Sequence, residues 1–368
     1  MFHALSMWPD SWLSTRVSGL PADIVELVRQ RLTSASELFL FRSKLNMRSR
    51  VQCSVHSLDL DAGGEAEWKL LDNVGLSYFN GQAVSRERDI LFIGGSKPFG
   101  FSFQFTDNVT AIDVKQRRSS VAEHSLRLPR GGASAARIAN EAVLVAGGSW
   151  SGGGSGSPIH LNSEILRDRD SAALAASSAL PKREGSTWTN GPKLQYPLIL
   201  GVAATLGDDR RAVLVTAGQL RPPDASPPPS ELLDPDRGQW IDAAPLLPHR
   251  SCAVACTLNG SAIVGGGDRY APETNSRVSV RECARYDRRQ DSWIAVQPLP
   301  FDAFSFVALS DDELLALPCV RNDECSGAQT ARYSARADRW VDDPIRCSPP
   351  NGGTLELRAC TVAIMREW

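Results

Sequence analysis

Short apolar runs that end in glycine recur along this chain. The clearest is Ala262-Ile263-Val264, which is followed directly by three glycines, Gly265 to Gly267. Short runs bounded by glycine, aspartate and other polar residues predict antiparallel strands joined by tight turns. A glycine at the end of a strand also lets another segment of backbone approach closely. Related runs occupy residues 90–95, 142–148 and 212–218, and a version without glycine occupies 313–318.

A tryptophan follows four of these runs, so the pattern is a repeat. Trp188, Trp240, Trp293 and Trp340 stand at intervals of 52, 53 and 47 residues. In the unit that ends with Trp293, a tyrosine, Tyr286, precedes the tryptophan. A period of about 50 residues with glycines and an aromatic pair in each unit predicts an array of four-stranded blades.

These units resemble kelch repeats, in which a hydrophobic run, Gly-Gly, a tyrosine and a tryptophan follow one another. Residues 249–300 match best, with Gly265-Gly266, Tyr286 and Trp293. The first unit lacks both aromatic residues, and the fifth keeps Tyr333 and Trp340 but loses the glycines. The resemblance implies a mainly β fold, a six-bladed kelch-type β-propeller.

The two ends of the propeller sequence are expected to share one blade. Residues 51–71 contain two strand-like segments with Trp68 at the tryptophan position, which are the outer half of a blade. Residues 355–358 and 361–365 supply two inner strands at the other end. We therefore predict a propeller over residues 50–368, whose last blade is shared between 50–72 and 350–368. Such closure removes free sheet edges.

Residues 18–48 predict a pair of helices that follows a disordered lead-in, residues 1–17. Pro21 suits the first position of an amphipathic helix, and Ser34 to Glu37 form a capping box before a second helix. The segment resembles an F-box, but it lacks the tryptophan often found after the second helix. A plain helical hairpin packed on the propeller is the alternative. The F-box resemblance implies that an Skp1-like adaptor binds Leu20, Pro21, Ile24, Leu27, Leu38 and Phe41.

Composition and charge exclude several other classes. A net charge of −2 gives no overall field for nucleic acid or an anionic membrane. No window of eighteen apolar residues is present, and the first residues do not form a convincing signal peptide. We therefore expect a cytoplasmic or nuclear protein without a membrane partner. The eight cysteines include no Cys-x-x-Cys pair, which favours free thiols over a zinc site.

The sequence contains no recognisable catalytic set. The five histidines are scattered, and none has a partner at the spacing of a metal site. A propeller oxidase of the galactose oxidase type would need a copper site made of tyrosine and histidine. Only five tyrosines exist, and the repeat uses Tyr286 and Tyr333. We predict no catalytic residue, no metal and no cofactor.

The two resemblances together imply the substrate-recognition subunit of an SCF-type ubiquitin ligase. The helices would bind the adaptor and the propeller would hold a target protein, which raises the local concentration of target near the transferring enzyme. A kelch scaffold without a ligase role is the alternative, and a propeller enzyme is disfavoured. Loops on a rigid scaffold usually carry recognition residues. The candidate target-binding residues are Lys97, Phe99, Trp150, Arg221, His249, Arg250, Arg269, Tyr270 and Arg321. The alternation from Phe99 to Phe105 fits a buried strand equally well.

Overall fold

The computed structural model describes residues 37–45, 51–59, 69–71, 81–86, 89–99, 102–113, 116–121, 125–138, 142–149, 159–167, 187–207, 211–218, 229–234, 236–318, 329–346 and 360–365. Every regular element in these ranges is a β-strand. The strands form six four-stranded sheets and two short two-stranded ribbons. No helix among the described residues has the length and hydropathy to cross a membrane.

The strands follow one another along the chain in blade-sized groups. The first group is β1 (Glu37–Leu45), β2 (Val51–Asp59) and β3 (Lys69–Leu70). The second is β4 (Gln82–Ser85), β5 (Asp89–Ile93), β6 (Ser96–Phe99), β7 (Ser102–Phe105), β8 (Val109–Asp113) and β9 (Arg118–Val121). Within the second group, β4-β5-β8-β9 form blade 1, and β6 and β7 form a ribbon between its second and third strands.

Four further blades are also continuous in sequence. Blade 2 contains β10 (Ser134–Arg137), β11 (Val143–Ala146), β12 (Ser163–Arg167) and β13 (Thr187–Asn190). Blade 3 contains β14 (Gly201–Leu206), β15 (Ala212–Ala217), β16 (Ser230–Asp234) and β17 (Gln239–Ala243). Blade 4 contains β18 (Val254–Leu258), β19 (Ser261–Gly265), β22 (Cys283–Asp287) and β23 (Ser292–Val296), with a ribbon of β20 (Asp268–Ala271) and β21 (Ser276–Ser279). Blade 5 contains β24 (Ala303–Ala308), β25 (Glu313–Pro318), β26 (Gln329–Ser334) and β27 (Arg339–Arg346).

The remaining sheet, which we name the closing sheet, joins the two ends of the described chain. Its strand order is β28-β1-β2-β3, where β28 is Cys360–Met365. β1 pairs antiparallel with β28 from Arg42 opposite Cys360 to Glu37 opposite Met365. The innermost strands β4, β10, β14, β18, β24 and β28 contact one another in cyclic order. Five continuous blades and the closing sheet therefore complete a propeller.

The prediction of a helix opening at the capping box is wrong. Residues 37–45, which include Leu38 and Phe41, form β1 and are hydrogen-bonded to strands on both sides. A capping box is a local signal of about 1 kcal/mol, whereas β1 pairs over all nine of its residues with β2 and over six of them with β28, which satisfies most backbone groups of the segment. β1 also takes the second position of the closing sheet, which we had assigned to residues 355–358. Those residues, and Leu20, Pro21, Ile24 and Leu27, lie outside the described part of the chain.

The hydrophobic core lies between blades as well as within them. Leu144 and Ile165 of blade 2 share one buried cluster with Val213, Leu233 and Trp240 of blade 3. Equivalent clusters join blade 1 to blade 2, blade 3 to blade 4, and blade 4 to blade 5. One small sheet cannot cover its own apolar faces, so each blade depends on its neighbours for burial.

The aromatic pair of the repeat anchors the outermost strand of its blade. The rings of Tyr286 and Trp293 are opposite each other on β22 and β23, with centroids 5.2 Å apart. The Trp293 indole donates to the carbonyl of Ala244 at 2.9 Å, and the Tyr286 hydroxyl donates to Asp291 at 2.6 Å. Tyr333, Asp338 and Trp340 of blade 5 repeat this arrangement. Asp291 has a φ of 45° in the turn between β22 and β23.

The paired glycines connect one blade to the next. Gly95 donates its amide to the carbonyl of Arg130 at 2.7 Å, across from blade 1 to the segment that enters blade 2. Gly148 donates in the same way to Leu198, and Gly218 to Arg250, at 2.7 and 2.8 Å. A Cβ on Gly94 would lie 2.6 Å from the Arg130 oxygen. Glycine is required here because the neighbouring backbone lies where a side chain would be.

Gly94→Ala is expected to destabilise the propeller more than Gly238→Ala. Both glycines have a left-handed φ, +63° and +62°, which costs alanine about 1–2 kcal/mol at either position. A Cβ on Gly238 would meet nothing within 4 Å, whereas a Cβ on Gly94 would clash with the next link. Gly94→Ala should therefore lose about 1–3 kcal/mol more of the free energy of unfolding in a urea titration. Equal losses would contradict the role assigned to this glycine.

Candidate binding face

Loops and links gather on one face of the propeller, which we name the loop face. A loop joins the second and third strands of each blade. A link joins the outermost strand of one blade to the innermost strand of the next, and we name each link after the blade that it enters. The glycine amides that begin these loops donate to carbonyls of the links, as in Gly95 to Arg130. The loops and links therefore lie side by side.

One link position carries a buried ion pair in blade 2. Arg130 donates through Nη2 to Glu164 Oε1 at 2.8 Å, and neither side chain is exposed to more than 1%. Its Nη1 donates to the carbonyls of Gly147 and Asn162 at 2.7 and 2.8 Å. Burial lowers the pKa of Arg130, and the Glu164 hydrogen bond and charge oppose this shift. Every donor group on this guanidinium has a protein acceptor, which is the condition for a stable buried charge.

Glu164 also receives the backbone of the link. The amides of Arg127 and Leu128 donate to its two carboxylate oxygens at 2.6 and 3.2 Å. These amides precede Arg130 by three and two residues, so the link curls over the carboxylate. In blade 2 one glutamate thus fixes both the link backbone and the link arginine.

Blade 3 keeps the carboxylate but not the arginine. Glu231 holds the position of Glu164 in β16, and it accepts the amides of Gln195 and Tyr196 at 2.8 and 3.0 Å. Leu198 holds the position of Arg130, because it accepts the amide of Gly148. Burial raises the pKa of Glu231, while the two amide hydrogen bonds oppose the rise.

Blade 4 has the opposite combination. Arg250 is at the link position, and Ala284 is at the carboxylate position, two residues before the tyrosine opposite Trp293. The Arg250 side chain is buried, with Nη1 donating to the Glu282 carbonyl at 2.6 Å and Nε to the Pro248 carbonyl at 3.1 Å. Burial is the largest cause that lowers the pKa of Arg250.

The ribbon β20–β21 stands on the link of blade 4. Asp268 accepts hydrogen bonds from Ser251 Oγ at 2.7 Å and from Arg277 Nη1 at 2.6 Å. At the base of the ribbon, Asp302 accepts Ser279 Oγ at 2.8 Å and Arg281 Nε at 3.1 Å. Side-chain bonds therefore hold this two-stranded element against its own link and the link that enters blade 5.

More than half of the exposed large apolar side chains lie on the loop face. Seven large apolar side chains are exposed among the residues that the structure describes. Three of them, Leu70, Ile294 and Val341, lie on outermost strands. The other four lie in loops or links of the loop face: Leu161, Leu247, Tyr270 and Val278, which are 39%, 65%, 40% and 39% exposed.

The structure brings several predicted recognition residues together and excludes others from a free surface. Arg269 and Tyr270 are exposed on β20, beside the link that holds His249 and Arg250. Arg250, another candidate target-binding residue, is buried, with 1% of its surface exposed, so it is not part of the free surface of this face. His249 is half-buried, 2.8 Å from the Gly218 carbonyl, and burial lowers its pKa.

The other candidate target-binding residues lie either in the ribbon of blade 1 or outside the described part of the chain. Lys97 and Phe99 lie in β6, which forms a hairpin with β7, so the Phe99 to Phe105 alternation belongs to a ribbon. Trp150, Arg221 and Arg321 lie outside the described residues. Glu164, Glu231 and the exposed Leu247 are not among the residues predicted from the sequence. The signal for the glutamates was the recurrence of Ser-Glu before two apolar residues, at 163–166 and 230–233.

The described residues contain no cluster of side chains that could bind a metal. No group of three histidine, cysteine, aspartate or glutamate side chains among them is placed to hold a metal ion. Cys252, Cys256 and Cys283 are free thiols. Burial raises the pKa of both Cys256 and Cys283 to about 12, so these two thiols are protonated near neutral pH.

Comparison with known proteins supports a kelch-type propeller. No family model matches the chain. It is 26% identical over 281 residues to Kelch-like protein 34 of Homo sapiens, which covers 73% of this chain and 39% of that protein. It is 26% identical over 108 residues to Kelch-like protein 36 of Bos taurus, which covers 29% of this chain and 17% of that protein. The chain therefore spans well under half the length of these relatives.

A solved structure of YjhT has the same fold. It matches with a TM-score of 0.62 over 84% of this chain and 97% of YjhT. Its sequence is 11% identical, so this likeness concerns the arrangement of strands alone.

Glu231 should make the stability of the protein depend on pH. Its pKa is raised in the folded state, so its contribution is present below the unfolded pKa of about 4.3 and is lost as pH rises through the folded pKa. Relative to Glu231→Gln, the wild-type protein should therefore lose stability as the pH rises from about 4 to 7. Urea titrations across this range would show the difference.

Glu164→Gln is the matched control for this measurement. It changes the same repeat position, but it leaves the buried Arg130 without its ion-pair partner. It should cost about 3–5 kcal/mol of stability, far more than Glu231→Gln. A stability difference between wild type and Glu231→Gln that stays constant with pH would contradict the assignment.

Proposed function

We propose that this propeller binds a partner protein through its loop face, with the ribbon and link of blade 4 at the centre of the contact. The observation that carries the proposal is the position of the exposed apolar side chains. Among the described residues they occur on the loop face and the outer rim, and Leu247, Tyr270 and Val278 all belong to blade 4. Apolar groups rimmed by polar residues are typical of interaction sites.

The residue types at this place suit protein recognition. Tyr270 and Arg269 are neighbours on β20, and both are exposed. Arg269 makes no ion pair with the residues that the structure describes, so its guanidinium is available. Tyrosine and arginine are enriched among residues that dominate binding energy, because each combines a large contact area with directed hydrogen bonds.

The ribbon is held in place before binding. Asp268, Ser251 and Arg277 form one hydrogen-bonded group, and Asp302 secures the other end of the ribbon. A preorganised surface loses less conformational entropy when a partner binds. The similarity to Kelch-like proteins supports a recognition role for the same face.

Alanine substitutions on the two faces of blade 4 test this proposal. Arg269→Ala with Tyr270→Ala should reduce recovery of partners at least tenfold when the tagged protein is used for affinity capture and mass spectrometry. The control is Arg288→Ala with Arg289→Ala, in the exposed turn between β22 and β23 at the opposite face. If the control lost the same partners, or the ribbon variant kept them, the proposed contact would be wrong.

The ubiquitin-ligase role is a finer proposal that now depends on residues before β1. Leu38 and Phe41 belong to a propeller strand, so adaptor binding would have to come from the segment containing Leu20 and Ile24. If that segment is an adaptor site, an Skp1-like protein should co-purify with the chain and be lost in Leu20→Asp with Ile24→Asp. Absence of the adaptor from the wild-type purification would leave a scaffold without a ligase role.

A further inference from the structure

Blade 4 carries donors like those around Glu164 but has no carboxylate at the equivalent strand position. The nearby Glu282, two residues before that position, acts on Arg250 through its charge, which opposes the lowering of the Arg250 pKa by burial. In blade 2 the carboxylate of Glu164 accepts two link amides and the Arg130 side chain. In blade 4 the residue at that strand position is Ala284, which offers no acceptor. The link arginine nevertheless remains, as Arg250.

The two arginines are held in equivalent places. Arg130 Nη1 donates to the carbonyl of Asn162, two residues before Glu164, at 2.8 Å. Arg250 Nη1 donates to the carbonyl of Glu282, two residues before Ala284, at 2.6 Å. The shared bond shows that Arg250 reaches the same part of its blade.

Two donors in blade 4 lack the acceptor that their counterparts have. Arg250 Nη2 is buried and has no hydrogen-bond partner in the protein, whereas Arg130 Nη2 bonds Glu164. Leu247 precedes Arg250 by three residues, like Arg127 before Arg130, and its amide donates to no atom of the described residues. A buried guanidinium donor without an acceptor costs free energy, so an anion supplied from outside would be stabilised there.

We propose that Leu247 and Arg250 form a carboxylate subsite of the loop face, which receives an aspartate or glutamate side chain of the bound partner. This inference rests on the proposed function. A carboxylate is the expected group because Glu164 already supplies one at the equivalent place in blade 2. Two amides and a guanidinium there bond its two oxygens.

A carboxylate from outside can reach the buried Arg250 Nη2 if the link that lies over it moves. Arg250 Nη2 has almost no exposed surface, so the segment containing Leu247 must shift to admit a side chain. Leu247 is 65% exposed and therefore has little packing to lose. Pro248 replaces the second amide of blade 2, which leaves one backbone donor and the arginine to hold the carboxylate.

The probe for this subsite is capped glutamate, in which the α-amino and α-carboxyl groups are blocked and the side-chain carboxylate is free. Thermal unfolding would be followed at constant pH and ionic strength, with capped glutamine and sodium chloride as controls and inorganic phosphate as a competing anion. The glutamate should raise the unfolding midpoint saturably, by about 2 °C. Glutamine and chloride should have no such effect. No shift, or an equal shift with chloride, would overturn the proposal, and a larger shift with phosphate would overturn the choice of carboxylate.

Ala284→Glu provides an internal occupant for the subsite. This variant should unfold at a higher temperature than the wild type in chloride, and it should no longer respond to capped glutamate. The matched control is Ala331→Glu, two residues before the tyrosine that pairs with Trp340 in blade 5, where the link residue equivalent to Arg250 is Ala303. The control should be destabilised, because its buried charge has no arginine.

A wild-type readout covers the case in which Ala284→Glu does not fold. The Leu247 amide proton should move downfield in NMR spectra as capped glutamate is added, because it gains a charged acceptor. An unchanged Leu247 resonance would overturn the proposal. These experiments need no partner protein, so their failure is distinguishable from failure of the proposed function, which the capture experiment tests.

Discussion

The contact between the glycines that end the second strands and the next link is the constraint on which the rest of the structure depends. Each of Gly95, Gly148 and Gly218 gives its amide to a carbonyl of the neighbouring blade's link. This bond sets the distance between adjacent sheets at the loop face, and the apolar clusters fill the wedge between them. The links therefore lie in fixed positions, which is what makes a binding face out of loops.

Repetition of this scaffold leaves individual positions free to differ. The link arginine and the strand glutamate satisfy each other in blade 2, but blade 3 retains Glu231 alone and blade 4 retains Arg250 alone. The blades are also held by glycine contacts, aromatic pairs or apolar faces shared with their neighbours, so losing half of one polar pair does not undo the fold. Such losses leave a charged side chain without its repeat partner at particular positions of an otherwise regular ring, as for Arg250 in blade 4.

Local repetition was sufficient to predict the blades, because each strand and turn is specified within about fifty residues. Closure of the ring was harder, since β1 joins residues at opposite ends of the chain. The capping box before Leu38 favoured a helix, and only the pairing with both β2 and β28 overrides it. The sequence alone does not show that Arg250 is buried. Its Nη1 bonds the carbonyl of Glu282, which lies just before β22 and 32 residues further along the chain.

Native-state hydrogen exchange at the amides of Gly95, Gly148 and Gly218 tests the central claim most directly. If the bonds to the links hold the blades together, these three amides should exchange only with global unfolding, at the same rate as amides inside β11, β15 and β19. Fast exchange at the glycines while those strand amides stay protected would show that the blades are held by their apolar contacts without these bonds.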